Sequence, residues 1–134
     1  MMDLMGGPDL FKVRLEREID VETAVAKGLP AKALRSLAER TGTSLRQLQE
    51  ITQIDKSTFQ RRERLKTDES DRIVRVARVV VLAIDALGRP EALAWLRRSN
   101  LALGNRVPLD LLGSDSGVRQ VEQVIGRIEH GVFS

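Results

Sequence analysis

The stretch DESDRIVRVARVVVLAIDALG, residues 68–88, constrains the fold more than any other part of the chain. Its β-branched run is compatible with a buried strand. The polar residues decide otherwise. Arg72, Arg75, Arg78 and Asp85 recur on one helical stripe, and Asp68, Glu69 and Asp71 sit where a helix dipole favours acids. The pattern predicts one long helix from about Glu69 to Leu87, ending at Gly88. It is apolar around most of its girth, as suits a central core or dimer-forming helix. The longest uninterrupted apolar run, Val79 to Ile84, is far too short to span a bilayer.

Around this segment helix signals follow one another, so the expected class is all-α. Residues 1–24 read as an N-terminal lead-in, in which Gly6-Gly7-Pro8 cannot hold regular structure. A short helix over Val21–Lys27 would stop at Gly28. Pro30 fits a first helical position and opens Pro30–Arg40, which carries Leu34, Leu37 and Ala38 on one face and ends at Gly42. Thr43 or Ser44 caps a third helix with Leu45, Leu48 and Ile51. After a break at Thr52-Gln53-Ile54, Asp55 is placed to cap a fourth. Pro90 opens a helix bearing Leu93, Trp95 and Leu96 that ends near Ser99-Asn100, with Trp95 in the core. The last helix starts at Ser114 or Asp115, aligns Val118, Val121, Val124, Ile125 and Ile128, and runs out at His130-Gly131. This order divides the chain at 25–88 and 89–134.

With 134 residues, 42% hydrophobic and 31% charged, the chain is globular and has enough length for one domain or two very small ones. It has no cysteine, which removes disulfides and thiolate metal sites. The opening MMDLMGGPDLFK lacks the basic-then-apolar order of an export signal, so a cytoplasmic location is expected.

The net charge of +3 is small but unevenly spread. Lys56, Arg61, Arg62, Arg64 and Lys66 face a single acid, Glu63, and the rest of the chain is near neutral. On a helix capped by Asp55, Ser57, Gln60, Arg61 and Arg64 fall on one face, with Phe59 opposite as an anchor into the core. A helix from Ser44, a break of about three residues and this basic helix reproduce a helix-turn-helix. Arginine can fork onto guanine and glutamine onto adenine, while Lys56 and Ser57 near the helix start can hold phosphate; Thr58 is a further candidate for DNA contact. Gln53 stands at the turn position where glycine usually supplies positive φ. A solvated amphipathic helix that is merely basic is the plainer alternative.

Two runs in the first half, GLPAKALRSLAERTGTSLRQLQEI and STFQRRERLKTDESDRIVRVARVV, and one in the second, ALAWLRRSNLALGNRVPLDLLGSDSGVRQVEQVIGRIEHGVFS, resemble the Xre/MbcA/ParS-type antitoxins that partner RES-domain toxins. The second half carries the more specific pattern: a Trp-Leu pair, Asn-x-Ala-Leu-Gly, Pro-x-x-Leu-Leu, a glycine before a Val-rich helix, and a terminal Gly-Val-aromatic. The resemblance covers roughly residues 25–134. It implies a helix-turn-helix followed by a small helical toxin-binding domain, which closes the cleft of a toxin that consumes NAD. It also implies a homodimer that binds its own operator DNA and represses its operon. The chain departs from the pattern at Gln53 and in ending on Gly-Val-Phe where tyrosine is common; loss of the phenolic hydroxyl keeps the ring area.

On that resemblance, Gly104, Asn105, Pro108 and Gly113 hold a hooked connection, with Pro108 starting a single helical turn. The hook would fix the last helix against Trp95 and Leu96. Most of its leucines are core; the toxin-contact candidates are Leu101, Leu103, Asn105, Arg106, Arg127, Gly131, Val132, Phe133 and Ser134. A stand-alone helix-turn-helix regulator, whose residues 90–134 only dimerise, is the competing reading.

No enzyme is expected. His130, the single histidine, stands near a helix C-terminus without a partner for base catalysis. Asp68, Glu69 and Asp71 are accounted for by the helix start, so neither a metal nor a cofactor is called for. No Ser-His-Asp order or glycine-rich phosphate loop occurs.

Overall fold

A computed structural model describes residues 27–55 and 64–131. Among them are five α-helices, two 3-10 turns and two isolated β-bridges, in agreement with the all-α expectation. The chain divides into two compact units, Met1–Ala77 and Arg78–Ser134.

In the first unit, the segment before the first described helix is tied to the segment before the long one. The Leu65 N–H donates to the Leu29 carbonyl (2.9 Å), Pro30 and Arg64 form an antiparallel bridge, and the Leu29 N–H donates to Ser70 Oγ (2.9 Å). Gly28, at φ 86°, packs against the Leu65 carbonyl so closely that a Cβ would overlap it. Of the expected Val21–Lys27 helix only Lys27, which is helical, lies within the described residues.

Helix α1 (Lys32–Thr41) starts two residues later than expected, because Pro30 is held in the bridge and its carbonyl receives the Ala33 N–H (2.9 Å). Gly42 ends it in the left-handed region (φ 70°), as its position in the sequence suggested. Ser44 then caps α2 (Leu45–Thr52), its Oγ accepting from the Gln47 N–H (3.0 Å). Leu34, Leu37 and Leu48 are fully buried where α1 packs on α2, each contributing on the order of 2 kcal/mol of hydrophobic stabilisation. Thr41 and Thr52 are buried too, and both return their hydroxyls to carbonyls one turn back, Leu37 (2.8 Å) and Leu48 (2.6 Å).

The long helix α3 (Thr67–Leu87) begins two residues before the expected Glu69. The buried Glu69 carboxylate reaches back to the Lys66 N–H (2.8 Å), which is half of a capping box and draws Thr67 and Asp68 into the first turn. Ile73, Val76, Ala77, Val79, Val80 and Ala83 are completely buried, as the apolar girth predicted, while Leu82 is 38% exposed.

In the second unit, Gly88 (φ 82°) separates α3 from α4 (Arg89–Leu96), with Pro90 in its first turn. This helix stops at Leu96, earlier than expected, since Asn100 is already extended and caps the next element. Trp95 and Leu96 are buried, as foreseen. Two 3-10 turns follow, Leu101–Leu103 and Pro108–Leu111, and then α5 (Asp115–Glu129), which Ser114 caps through the Gly117 N–H (3.0 Å). The turn opened by Pro108 touches both α4 and α5. It is therefore the wedge through which those two helices share one core of Leu96, Leu109, Leu112, Val118, Val121, Val124 and Ile125, all buried.

Candidate functional site

The basic stretch begins at a left-handed turn. Gln53 adopts φ 58°, ψ 37°, the geometry anticipated for a glycine-like position, and the next N–H, of Ile54, returns to the Gln49 carbonyl (3.1 Å). Ile54 is buried and Asp55 exposed. The helix expected after Asp55, with Lys56, Ser57, Thr58, Gln60 and Arg61, lies outside the described residues.

Arg64, the sixth candidate for DNA contact, is placed. Its backbone pairs with Pro30, so it does not extend the basic helix as the i+7 spacing proposed. The cause is its neighbour: Leu65 is buried and bonded to Leu29, which forces an extended backbone at Arg64. The guanidinium Nη1 donates to the Gly28 carbonyl (2.8 Å), giving Arg64 a clasping role within the first unit.

The turn of α2 is also secured from α3. The Nε of Arg72 donates to the carbonyl of Thr52, the last residue of α2, and its Nη1 meets Asp68 Oδ2 at 3.4 Å. A guanidinium at a helix C-terminus satisfies an orphan carbonyl and complements the dipole. Desolvation, the largest single influence, raises the Asp68 pKa, but the Glu69 N–H, the charge and hydrogen bond of Arg72 and its own N–H together outweigh it and hold the carboxyl below its ordinary value. With Glu69 capping the helix and Asp68 paired to Arg72, these acids serve the helix start. An open cavity of about 750 Å³ borders α2 at Leu45 and Gln49 and the turn after it at Ile54; its described lining holds no nucleophile with a base beside it.

In the second unit the hook is a closed loop. Asn100 and Arg106 form a bridge through the Asn100 N–H and the Arg106 carbonyl (3.0 Å), and the Asn105 N–H returns to the Asn100 carbonyl (2.9 Å). The Asn100 side chain caps the turn by accepting from the Ala102 N–H (2.9 Å). Gly104 (φ 68°) and Asn105 (φ 63°) supply the left-handed backbone that closes it. Arg106 holds the loop from both ends, its Nε on the Leu103 carbonyl (2.7 Å) and its Nη2 on Gln120 Oε1 of α5 (2.9 Å). Leu101 and Leu103, two residues apart, part company here: Leu101 is 82% exposed, whereas Leu103 is 3% exposed and belongs to the core.

Arg127 is exposed in the last turn of α5, and His130 caps that helix, its N–H on the Gly126 carbonyl (3.0 Å). Gly131, at φ 69°, turns the chain off the helix with its N–H on the Ile128 carbonyl (3.2 Å). Val132, Phe133 and Ser134 lie outside the described residues. Asn100 and Gln120 were not among the sequence candidates. Asn100 had a signal, an Asx residue before a short apolar turn; Gln120 had none.

Two family models match the chain in tandem. Residues 20–78 match the "Antitoxin Xre-like helix-turn-helix domain", and residues 82–131 match the "Antitoxin Xre/MbcA/ParS C-terminal toxin-binding domain". The chain belongs to the Xre-like antitoxins. Among proteins of this name, one from Yersinia enterocolitica is 41% identical over 73 residues, 53% of this chain and 49% of that protein. One from Photorhabdus laumondii is 41% identical over 69 residues, 50% of this chain and 47% of that protein. One from Pseudomonas putida is 28% identical over 120 residues, 87% of this chain and 76% of that protein. The chain thus spans about half the length of the first two relatives. For an Xre-like antitoxin, the boundary between the two matched domains falls within α3, close to where the compact units divide. Among the described residues no helix is long and apolar enough to cross a membrane.

Proposed function

We propose that this chain binds a toxin protein through its second unit and neutralises it, and that its first unit binds operator DNA. The observation that carries the proposal is the match of residues 82–131 to a toxin-binding domain, over a segment built as a braced hook and a capped helix. The toxin is taken to be of the RES type, which consumes NAD, on the resemblance of the Trp-Leu, Asn-x-Ala-Leu-Gly and Pro-x-x-Leu-Leu order in residues 95–112. Neutralisation works by occlusion. Gly131 redirects the chain away from α5, and Val132, Phe133 and Ser134 form a short tip that enters the toxin's cleft, with Arg127 beside it. A support ordered before binding lowers the entropic cost of association.

In the first unit, Lys56, Ser57, Thr58, Gln60 and Arg61 are the contacts to phosphate and base edges, and Arg64 supports them from the bridge. A homodimer would place two such units on a two-fold operator, with the partly exposed Leu82 of α3 available to the pairing. Toxin binding and operator binding together make the protein a repressor of its own operon.

Co-expression tests the proposal. Cells making the protein encoded beside this chain should stop growing and lose NAD, and the full chain should restore both. Deletion of residues 127–134 should abolish rescue. A neighbour that is harmless, or that the full chain does not bind, leaves the stand-alone regulator as the better reading; rescue by the truncated chain refutes occlusion by the tip.

A further inference from the structure

Leu101 is the most exposed large hydrophobic residue among those described, at 82%, and its environment gives it no freedom to fold away. The turn that carries it is closed on both sides. Asn100 caps it through Ala102, the Gly104 N–H returns to the Leu101 carbonyl (3.1 Å), and Arg106 ties the loop to Leu103 and, through Gln120, to α5. Leu103, within the loop, and Leu109, just after it, are buried and root it in the core. A single exposed leucine is ordinary on a protein surface. A leucine held out on a short turn by this many hydrogen bonds is not, because the same backbone could have carried a polar side chain at no cost to its closure.

The charge of the segment that carries the knob is one-sided. From Ala92 to Leu109 there is no acidic residue, while Arg97, Arg98 and Arg106 are all exposed. Arg106 lies in the loop itself, and Arg97 and Arg98 lead into it. An apolar knob with a basic surround complements an apolar socket with carboxylates at its rim.

We infer that Leu101 is an insertion anchor for the toxin, seated in an apolar pocket whose rim carries acidic residues that meet Arg98 and Arg106. This rests on the proposed toxin binding and deepens it by adding a second contact, separate from the C-terminal tip. Buried apolar anchors dominate interfaces, and the charged rim sets the encounter rate and partner choice.

The test measures affinity of the full chain for the protein encoded beside it, by calorimetry or surface binding, for wild type, Leu101→Asp, Leu101→Met and Arg98→Glu. Melting temperatures confirm that each variant is folded. Leu101→Asp should weaken binding at least 100-fold, Leu101→Met less than fivefold. Arg98→Glu should weaken it about tenfold at low salt, with the loss shrinking as salt rises. Binding by Leu101→Asp within threefold of wild type overturns the anchor while leaving the antitoxin reading intact. An effect of Arg98→Glu that does not respond to salt overturns the acidic rim. No binding by wild type overturns the antitoxin reading and the anchor with it.

Discussion

Gly117, in the first turn of α5, lies so close to the carbonyl of Leu111 that a Cβ on it would overlap both the oxygen and the carbon. The obstacle is backbone, so it cannot be cleared by a rotamer change. This contact seats α5 on the Pro108–Leu111 turn and thereby sets the direction in which the helix leads to Gly131. Gly117→Ala should destabilise the second unit by about 1–3 kcal/mol through overpacking. Gly126, in the same helix, has nothing within 4 Å of its would-be Cβ, and Gly126→Ala should stabilise by up to about 1 kcal/mol. Thermal unfolding of the two variants checks the contrast; equal effects would remove the contact from the account.

Gln53 holds a left-handed backbone at the exit of α2, and an L-residue there costs on the order of 1 kcal/mol. Gln53→Gly should therefore raise stability by up to about 1 kcal/mol, less the extra chain entropy that glycine gives the unfolded state. Gln53→Val should lower it, since a branched Cβ tolerates positive φ poorly. A melt series over the three side chains reads this directly. Operator affinity should follow stability only in the valine variant, because glycine keeps the turn geometry.

Arg72 joins the end of α2 to the start of α3, and Arg72→Leu leaves the Thr52 carbonyl without its donor, at a cost of about 1–2 kcal/mol. Its other partner gives a pH signature. The Asp68 carboxyl has a lowered folded-state pKa, so its contribution is present above the unfolded aspartate value near pH 4 and is lost as pH falls through the lower folded value. Asp68→Asn should thus reduce stability slightly at neutral pH and leave it unchanged in strong acid, where wild type has lost the same interaction. Because the Asp68 carboxylate is largely exposed, the difference is small and shrinks with salt. Denaturant melts at several pH values test the sign.

These relationships also mark what could be read from the chain before its structure. Helix ends were legible wherever one residue enforces them: Gly42 and Gly88 by positive φ, Ser44 and Ser114 by side-chain caps. The start of α1 was misjudged by two residues because a distant partner intervenes, Arg64 drawing Pro30 into a bridge 34 positions away, and that of α3 because Glu69 caps back onto Lys66. The hook was legible as a turn-rich connection, but the separate fates of Leu101 and Leu103 were not. They look alike in sequence, and only the closure of the 3-10 turn puts one outside and the other in the core. The bond from Arg106 to Gln120 depends on where α5 comes to rest, a tertiary fact without a local signal.

Substitutions at Arg61 and Arg64 would test proposed DNA contact separately from support of the fold. Arg64 is committed to the carbonyl of Gly28, a residue on which a Cβ would overlap the Leu65 carbonyl. Arg64→Ala should lower the unfolding free energy by about 1 kcal/mol, the worth of a charged hydrogen bond at a partly buried site, and Arg64→Lys should recover part of that loss. If Arg61 contacts phosphate, Arg61→Ala should weaken binding to upstream DNA uniformly across sequences and reduce the salt slope by about one. If it forks onto a base, the slope should hold and discrimination between sites should fall by about 1–3 kcal/mol at one position. Affinity for upstream and scrambled DNA at three salt concentrations distinguishes these outcomes. Wild-type affinity in Arg61→Ala under all of them would rule out the stretch after Gln53 as the DNA-binding surface.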